Sequence, residues 1–182
     1  MFAIGNGKRL WKDEGFIENQ HSMTDINMGM APMSETGCEV IATYNALLNL
    51  GRRIPLGNLI EEYERDGIIH SGRFGVAPKA IADYLKRCGY IADTYIPGKK
   101  RQAFEQFADN YMTLIVTYYN DYTDLMKQIH TVAITRDDMG YTVHNAFCNG
   151  YVPEAKGTIM EAIASVTAGM GRPIILIGVK EK

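Results

Sequence analysis

Apolar residues recur at helical spacing through the first half of the chain and at strand spacing through most of the second. Over residues 36–50, Val40, Ile41, Tyr44, Leu47 and Leu48 fall on one stripe, and Gly51 supplies a stop. A second helix is predicted after Pro55, with Leu59, Ile60 and Tyr63 inward and an end near Gly67. A third opens at Pro78, carries Ile81, Tyr84, Leu85 and Cys88, and closes at Gly89. A short fourth covers 101–109. Residues 112–119 read MTLIVTYY, a β-branched and aromatic run that suits a buried strand. Two more strands, 128–135 and 141–147, are joined by the turn-forming Asp137-Asp138-Met139-Gly140. A helix over 158–166 and a strand over 173–179 complete the pattern. Helices first and an antiparallel sheet second make an α+β chain, not an alternating βαβ one.

Residues 1–35 have no clear period and are rich in Gly, Met, Asn and Ser. Trp11, Phe16, Ile17 and the methionines at 23, 28, 30 and 33 make this arm too apolar for a disordered tail, so it is expected to be irregular but ordered. With 182 residues, 46% of them hydrophobic, one domain spanning 1–182 with a substantial core is expected.

Nineteen Lys and Arg against 21 Asp and Glu, with no basic block, argue against a nucleic-acid clamp or a polybasic membrane patch. No apolar run approaches the roughly 18 residues that cross a bilayer. The start, MFAIGNGKRLWKDEGF, lacks the apolar core of a secretory signal, which points to the cytoplasm. Oligomeric state is not encoded in any pattern here. Three cysteines (Cys38, Cys88, Cys148) cannot all pair, and no CxxC occurs, so a free thiol needs an explanation. His144 with Cys148 is a poor zinc signature, no HExxH occurs, and Gly5-Asn6-Gly7-Lys8 follows no strand; neither a metal nor another cofactor is expected.

Cys38 supplies the chemistry. Thr36 followed by Glu39 has the spacing of a capping box, which would put Thr36 at the cap and Cys38 at the second helical position. There the helix dipole and unpaired N–H groups favour the nucleophilic thiolate, and the Cys38 N–H is available to an oxyanion. Gly37 leaves room for a substrate. The alternative is that Cys38 is a small buried hydrophobe; Cys88, on the stripe of Ile81, Tyr84 and Leu85, fits that description better.

A thiol nucleophile needs a base, and the base an orienting group. His21 lies in the arm and His70 in a Gly-flanked loop, where a surface position without a role is expected. His130 alternates with Val132 and Ile134, and Asn145 with Tyr141, Val143 and Phe147, so strand parity puts both on one face of a hairpin. His144 goes to the other face with Thr142 and Ala146. An edge histidine and a turn-starting asparagine are the bland alternatives. The order Cys38, His130, Asn145 supplies nucleophile, base and orienting amide.

On these residues the chain resembles papain-like cysteine peptidases, specifically the bacterial group of bacteriocin-processing peptidase-like domains. Thr36-Gly37-Cys38-Glu39-Val40-Ile41-Ala42 is similar to that family's cysteine and following helix. Gly75-Val76-Ala77-Pro78 through Gly89-Tyr90 is similar to its next helix, and His130-Thr131-Val132-Ala133-Ile134 with Val143-His144-Asn145-Ala146 to its histidine and acid or amide. The resemblance spans about 36–147. It implies Cys38 as nucleophile, His130 as base then acid, Asn145 as orienter, and a peptide or other acyl or amide substrate. The family's oxyanion glutamine, six residues before the cysteine, is replaced by Pro32; Gln20 in the arm is the candidate substitute beside the Cys38 N–H, with Asn27 and Ser34 as rivals. Two functions follow: peptidase or acyl transfer through a thioester, or a non-catalytic papain-like module that binds a peptide.

Overall fold

The computed structural model describes residues 15–98, 101–119, 129–146, 152–166 and 173–182. Two short strands of the arm, β1 (Asn27–Met28) and β2 (Ala31–Pro32), pair with each other and lead into one turn of helix, α1 (Met33–Thr36). The helices α2 (Cys38–Asn49), α3 (Leu56–Asp66) and α4 (Pro78–Arg87) follow, each stopped near a glycine at 51, 67 or 89. Then come β3 (Ile91–Tyr95), α5 (Arg101–Ala108), β4 (Thr113–Tyr119), β5 (Ile129–Asp137), β6 (Gly140–His144), α6 (Ile159–Val166) and β7 (Pro173–Lys180). The sheet runs β3-β7-β4-β5-β6, every pair antiparallel. This is the expected α+β architecture.

The sheet separates two cores. Ile115, Ile177 and Val179 pack with Val40, Ile41, Tyr44 and Leu47 of α2 and with the inner sides of α3 and α4. Leu114, Val116, Tyr118, Val132, Ile134 and Val143 point the other way, onto Phe104 and Ala108 of α5 and Ile159, Ala162 and Ile163 of α6. Strand alternation sends each set to its own side.

Four local expectations change. The capping box does not form: the Thr36 hydroxyl donates back to the Pro32 carbonyl, Gly37 is the cap of α2 without a side-chain bond, and Cys38 is the first helical residue. The intervening turn α1 occupies Thr36, and a Cβ at Gly37 would lie 2.6 Å from Met33 Cε and from the Met33 carbonyl, so only glycine fits that junction. β3 had no sequence signal, because Ala92 is its one buried residue. In the described part of the arm, from residue 15 on, Met23, Met28 and Met33 are buried, but Met30 is 60% exposed. β6 ends at His144, before the predicted limit; Trp11, Phe147 and Cys148 lie outside the described residues.

Candidate active site

Cys38 opens α2, where main-chain N–H groups have no acceptor within the helix. The N–H groups of Glu39 and Thr131 are directed at its sulfur and favour the thiolate. Two effects oppose them and win. Burial removes water from the thiol, and the neighbouring Glu39 carboxylate repels a second negative charge, so the Cys38 pKa is raised well above the ordinary thiol value. The expected thiolate is therefore a thiol at rest. Its hydrogen goes to Glu39 Oε2 at 3.3 Å. Burial likewise raises the Glu39 carboxyl to about 7, against the Cys38 thiol and the Val76 N–H that donate to it.

Thr131 is the residue after His130. β6 stops at the pairing of His144 with Ala133, so β5 continues through Thr131, His130 and Ile129 without β6 beside it. The sulfur reaches this stretch from the α2 side at the Thr131 main chain. The His130 side chain leaves it toward the other face, across from Tyr118, with the two rings 5.8 Å apart and perpendicular. His130 is buried, and its Nε2 lies 2.8 Å from the Asn145 main-chain carbonyl. A carbonyl only accepts, so Nε2 carries the hydrogen and Nδ1 the lone pair. Burial, with a smaller push from His21, lowers the His130 pKa to about 4 despite the carbonyl's support. At neutral pH the ring is an uncharged base.

Asn145 departs from the parity expected of it. The strand has ended, Asn145 takes φ +62, and Ala146 rather than Asn145 follows Val143 into the second core. Asparagine adopts this left-handed conformation more readily than most residues. The carboxamide, expected to orient the imidazole, is bonded to the arm instead. Its Oδ1 accepts from the Gln20 N–H at 2.9 Å, and its Nδ2 donates to Gln20 Oε1 at 2.9 Å. The main-chain carbonyl is what holds His130.

Gln20 starts a short 3-10 turn (Gln20–Ser22) and is 1% exposed; its Nε2 donates to the Ser34 carbonyl at 3.2 Å. The arm thus brings Gln20 to Asn145 and to the turn preceding Cys38. Asn27 stays exposed in β1, and Ser34 contributes its carbonyl.

Glu18 had no sequence signal. It accepts from the Asn145 N–H at 2.9 Å and from His144 Nδ1 at 2.6 Å. His144 also shares a hydrogen bond with the Thr135 hydroxyl at 2.9 Å and stacks on Phe16 at 3.9 Å. Its buried face and partners mark it as the point where the arm is pinned to β6. Among the described residues, no group of three or more His, Cys, Asp or Glu is arranged to hold a metal ion, and no helix is long and apolar enough to cross a membrane.

These elements in this order, with a helix-start cysteine set against an antiparallel sheet, are the fold of a papain-like cysteine peptidase domain. Solved structures with a similar fold include the peptidase domain of Streptococcus ComA, a bifunctional ABC transporter involved in a quorum-sensing pathway. The match has a TM-score of 0.51 and 11% identity, covering 80% of this chain and 91% of that one. A double-glycine-motif protease from an AMS/PCAT transporter, in complex with a leader peptide, matches with a TM-score of 0.47 and 14% identity over 80% of this chain and 84% of that one. No protein-family model and no curated protein matches the chain.

Proposed function

We propose that the chain is a cysteine peptidase or related acyl-transfer enzyme, with Cys38 as nucleophile, His130 as base and Asn145 as the group that orients it. The observation that carries this reading is the placement of the Cys38 sulfur at a helix start against the main chain beside His130, whose tautomer the Asn145 carbonyl fixes. Because thiol and imidazole are both neutral at rest, the first step is general-base catalysis, not attack by a preformed ion pair. The proton passes from Cys38 to His130 Nδ1 as the sulfur bonds to the acyl carbon. The Cys38 N–H and the second hydrogen of Gln20 Nε2 receive the oxyanion. The imidazolium, supported at Nε2 by the Asn145 carbonyl, protonates the leaving amine; a thioester remains, which water or another nucleophile resolves. A peptide is the substrate class that suits this chemistry.

The test is turnover of a peptide and acyl-substrate library together with iodoacetamide labelling. Wild type turns over and accumulates a thioester on Cys38, Cys38→Ala is inactive, and His130→Ala loses at least about 10²-fold in rate. No turnover by wild type would overturn the reading. A second reading, a peptide-binding module without catalysis, is favoured by one feature: Gln20 Nε2 already donates to Ser34. Peptide binding that survives Cys38→Ser, with no turnover of any substrate, would establish it.

A further inference from the structure

The proposed mechanism leaves the buried Glu39 carboxyl unused. Glu39 is 8% exposed and lies on the first turn of α2, with its carboxylate wedged between Cys38 Sγ and the main chain of Gly75 and Val76. The fit is close: a Cβ at Gly75 would meet Glu39 Oε2 at 2.7 Å and Oε1 at 2.9 Å, and Gly75 has φ +67. The loop is shaped around the carboxylate. A thiol has one hydrogen, and while Glu39 accepts it that hydrogen is not available to His130.

We propose that Glu39 is a positioning residue that restrains the nucleophile: its carboxylate holds the Cys38 hydrogen and keeps the sulfur as a thiol until that hydrogen bond is broken or the carboxylate is neutralised. The inference rests on Cys38 being the nucleophile. Among the described residues, these groups face the pair. Within α2 they are Cys38 itself and Thr43, whose hydroxyl donates to the Glu39 carbonyl and meets Tyr63 of α3. The Tyr63 phenol is coupled to the Glu39 charge, and burial keeps it neutral at working pH. From the loop come the Gly75 and Val76 main chain, and from β5 the Thr131 N–H. The carboxylate is thus the anion beside the sulfur, and no cation is among these groups.

Neutralisation follows pH with a definite sign. Above about 7 Glu39 is charged and disfavours the thiolate; below it the carboxyl is neutral and can donate to sulfur. Glu39→Gln is neutral at every pH and retains an oxygen for the Val76 N–H. Removing a like charge at hydrogen-bond distance changes thiolate population about tenfold or more. Iodoacetamide labelling of Cys38 is therefore expected to be about tenfold faster in Glu39→Gln than in wild type at pH 8.5, with the advantage vanishing near pH 5.5. A purely structural effect would give a ratio that does not follow pH. Equal rates at both pH values, or slower labelling of the variant at pH 8.5, would overturn the proposal.

A second measurement needs no variant. Capping Cys38 with methyl methanethiosulfonate removes the S–H donor, so the Glu39 carboxyl, followed by ¹³C NMR, is expected to titrate higher; an unchanged titration would also overturn it. A pH-dependent ratio without turnover of any acyl substrate would sink the enzymatic reading and leave this effect standing. Turnover with a flat ratio would do the reverse.

Discussion

Glu39 and His130 are both buried, and burial disfavours the charged form of each, so their effects on stability run in opposite directions with pH. Glu39 is raised from 4.5 to about 7: its contribution is complete below 4.5 and is lost as pH rises to 7. His130 is lowered from 6.5 to about 4: its contribution is complete above 6.5 and is lost as pH falls through 4. Each displacement is worth about 3 kcal/mol, so the two nearly offset between pH 7 and 4.5. Variants separate them. Urea unfolding should show Glu39→Gln losing about 3 kcal/mol relative to wild type as pH falls from 7.5 to 4.5, while His130→Asn gains a similar amount. Parallel pH profiles for all three proteins would mean that neither group is displaced as its surroundings dictate.

At the scale of elements, the arm and the end of β6 form one unit. Asn45 of α2 brackets Ile17 with bonds of 2.8 and 2.9 Å, Glu18 takes His144 and the Asn145 N–H, and Gln20 closes a two-bond pair with the Asn145 carboxamide. Removing the Gln20 side chain takes the Oε1 acceptor from Asn145 Nδ2, and removing the carboxamide takes the partners of the Gln20 N–H and Oε1, so the losses are not additive. A double-mutant cycle on Gln20→Ala and Asn145→Ala, read by urea unfolding, is expected to give a coupling of about 1 kcal/mol or more. Additivity within about 0.3 kcal/mol would remove Gln20 as the carboxamide's partner.

The same elements show what was legible in the sequence. The stripes of Val40, Ile41, Tyr44, Leu47 and of Ile81, Tyr84, Leu85 specified their helices because periodicity reports burial directly. The β4, β5 and β6 strands followed for the same reason. Thr36 and Glu39 misled because spacing identifies a pattern, not the partner each side chain finds; Pro32 and Cys38 were nearer. Asn145 misled because parity holds only while the strand lasts. Gln20 was a candidate, but its partner stands 125 positions away, and a one-to-one contact at that separation leaves no periodic trace.

Across the whole molecule, the sheet divides the core on the α2 side, where Cys38 stands, from the one beneath α5 and α6, and this predicts which damage stays local. Gly178 of β7 pairs with Asp93 of β3 and Leu114 of β4, and the Tyr111 ring lies directly over it, so that a Cβ there would sit 2.4 Å from Tyr111 Cδ2. The same ring donates its hydroxyl to Asp93 Oδ2 at 2.5 Å, which ties it down on both sides of the glycine. Gly178→Ala must lift the ring, break that bond and open the packing around Phe107. Overpacking of this kind costs about 1–3 kcal/mol, which corresponds to a fall in Tm of about 2–4 °C for each kcal/mol. Cys38 stands on the opposite side of the sheet, so its labelling rate well below the transition should equal that of wild type. An unchanged Tm would mean the ring does not lie on Gly178. Slowed or accelerated labelling at full folding would mean that the sheet transmits strain between its two cores and does not insulate them.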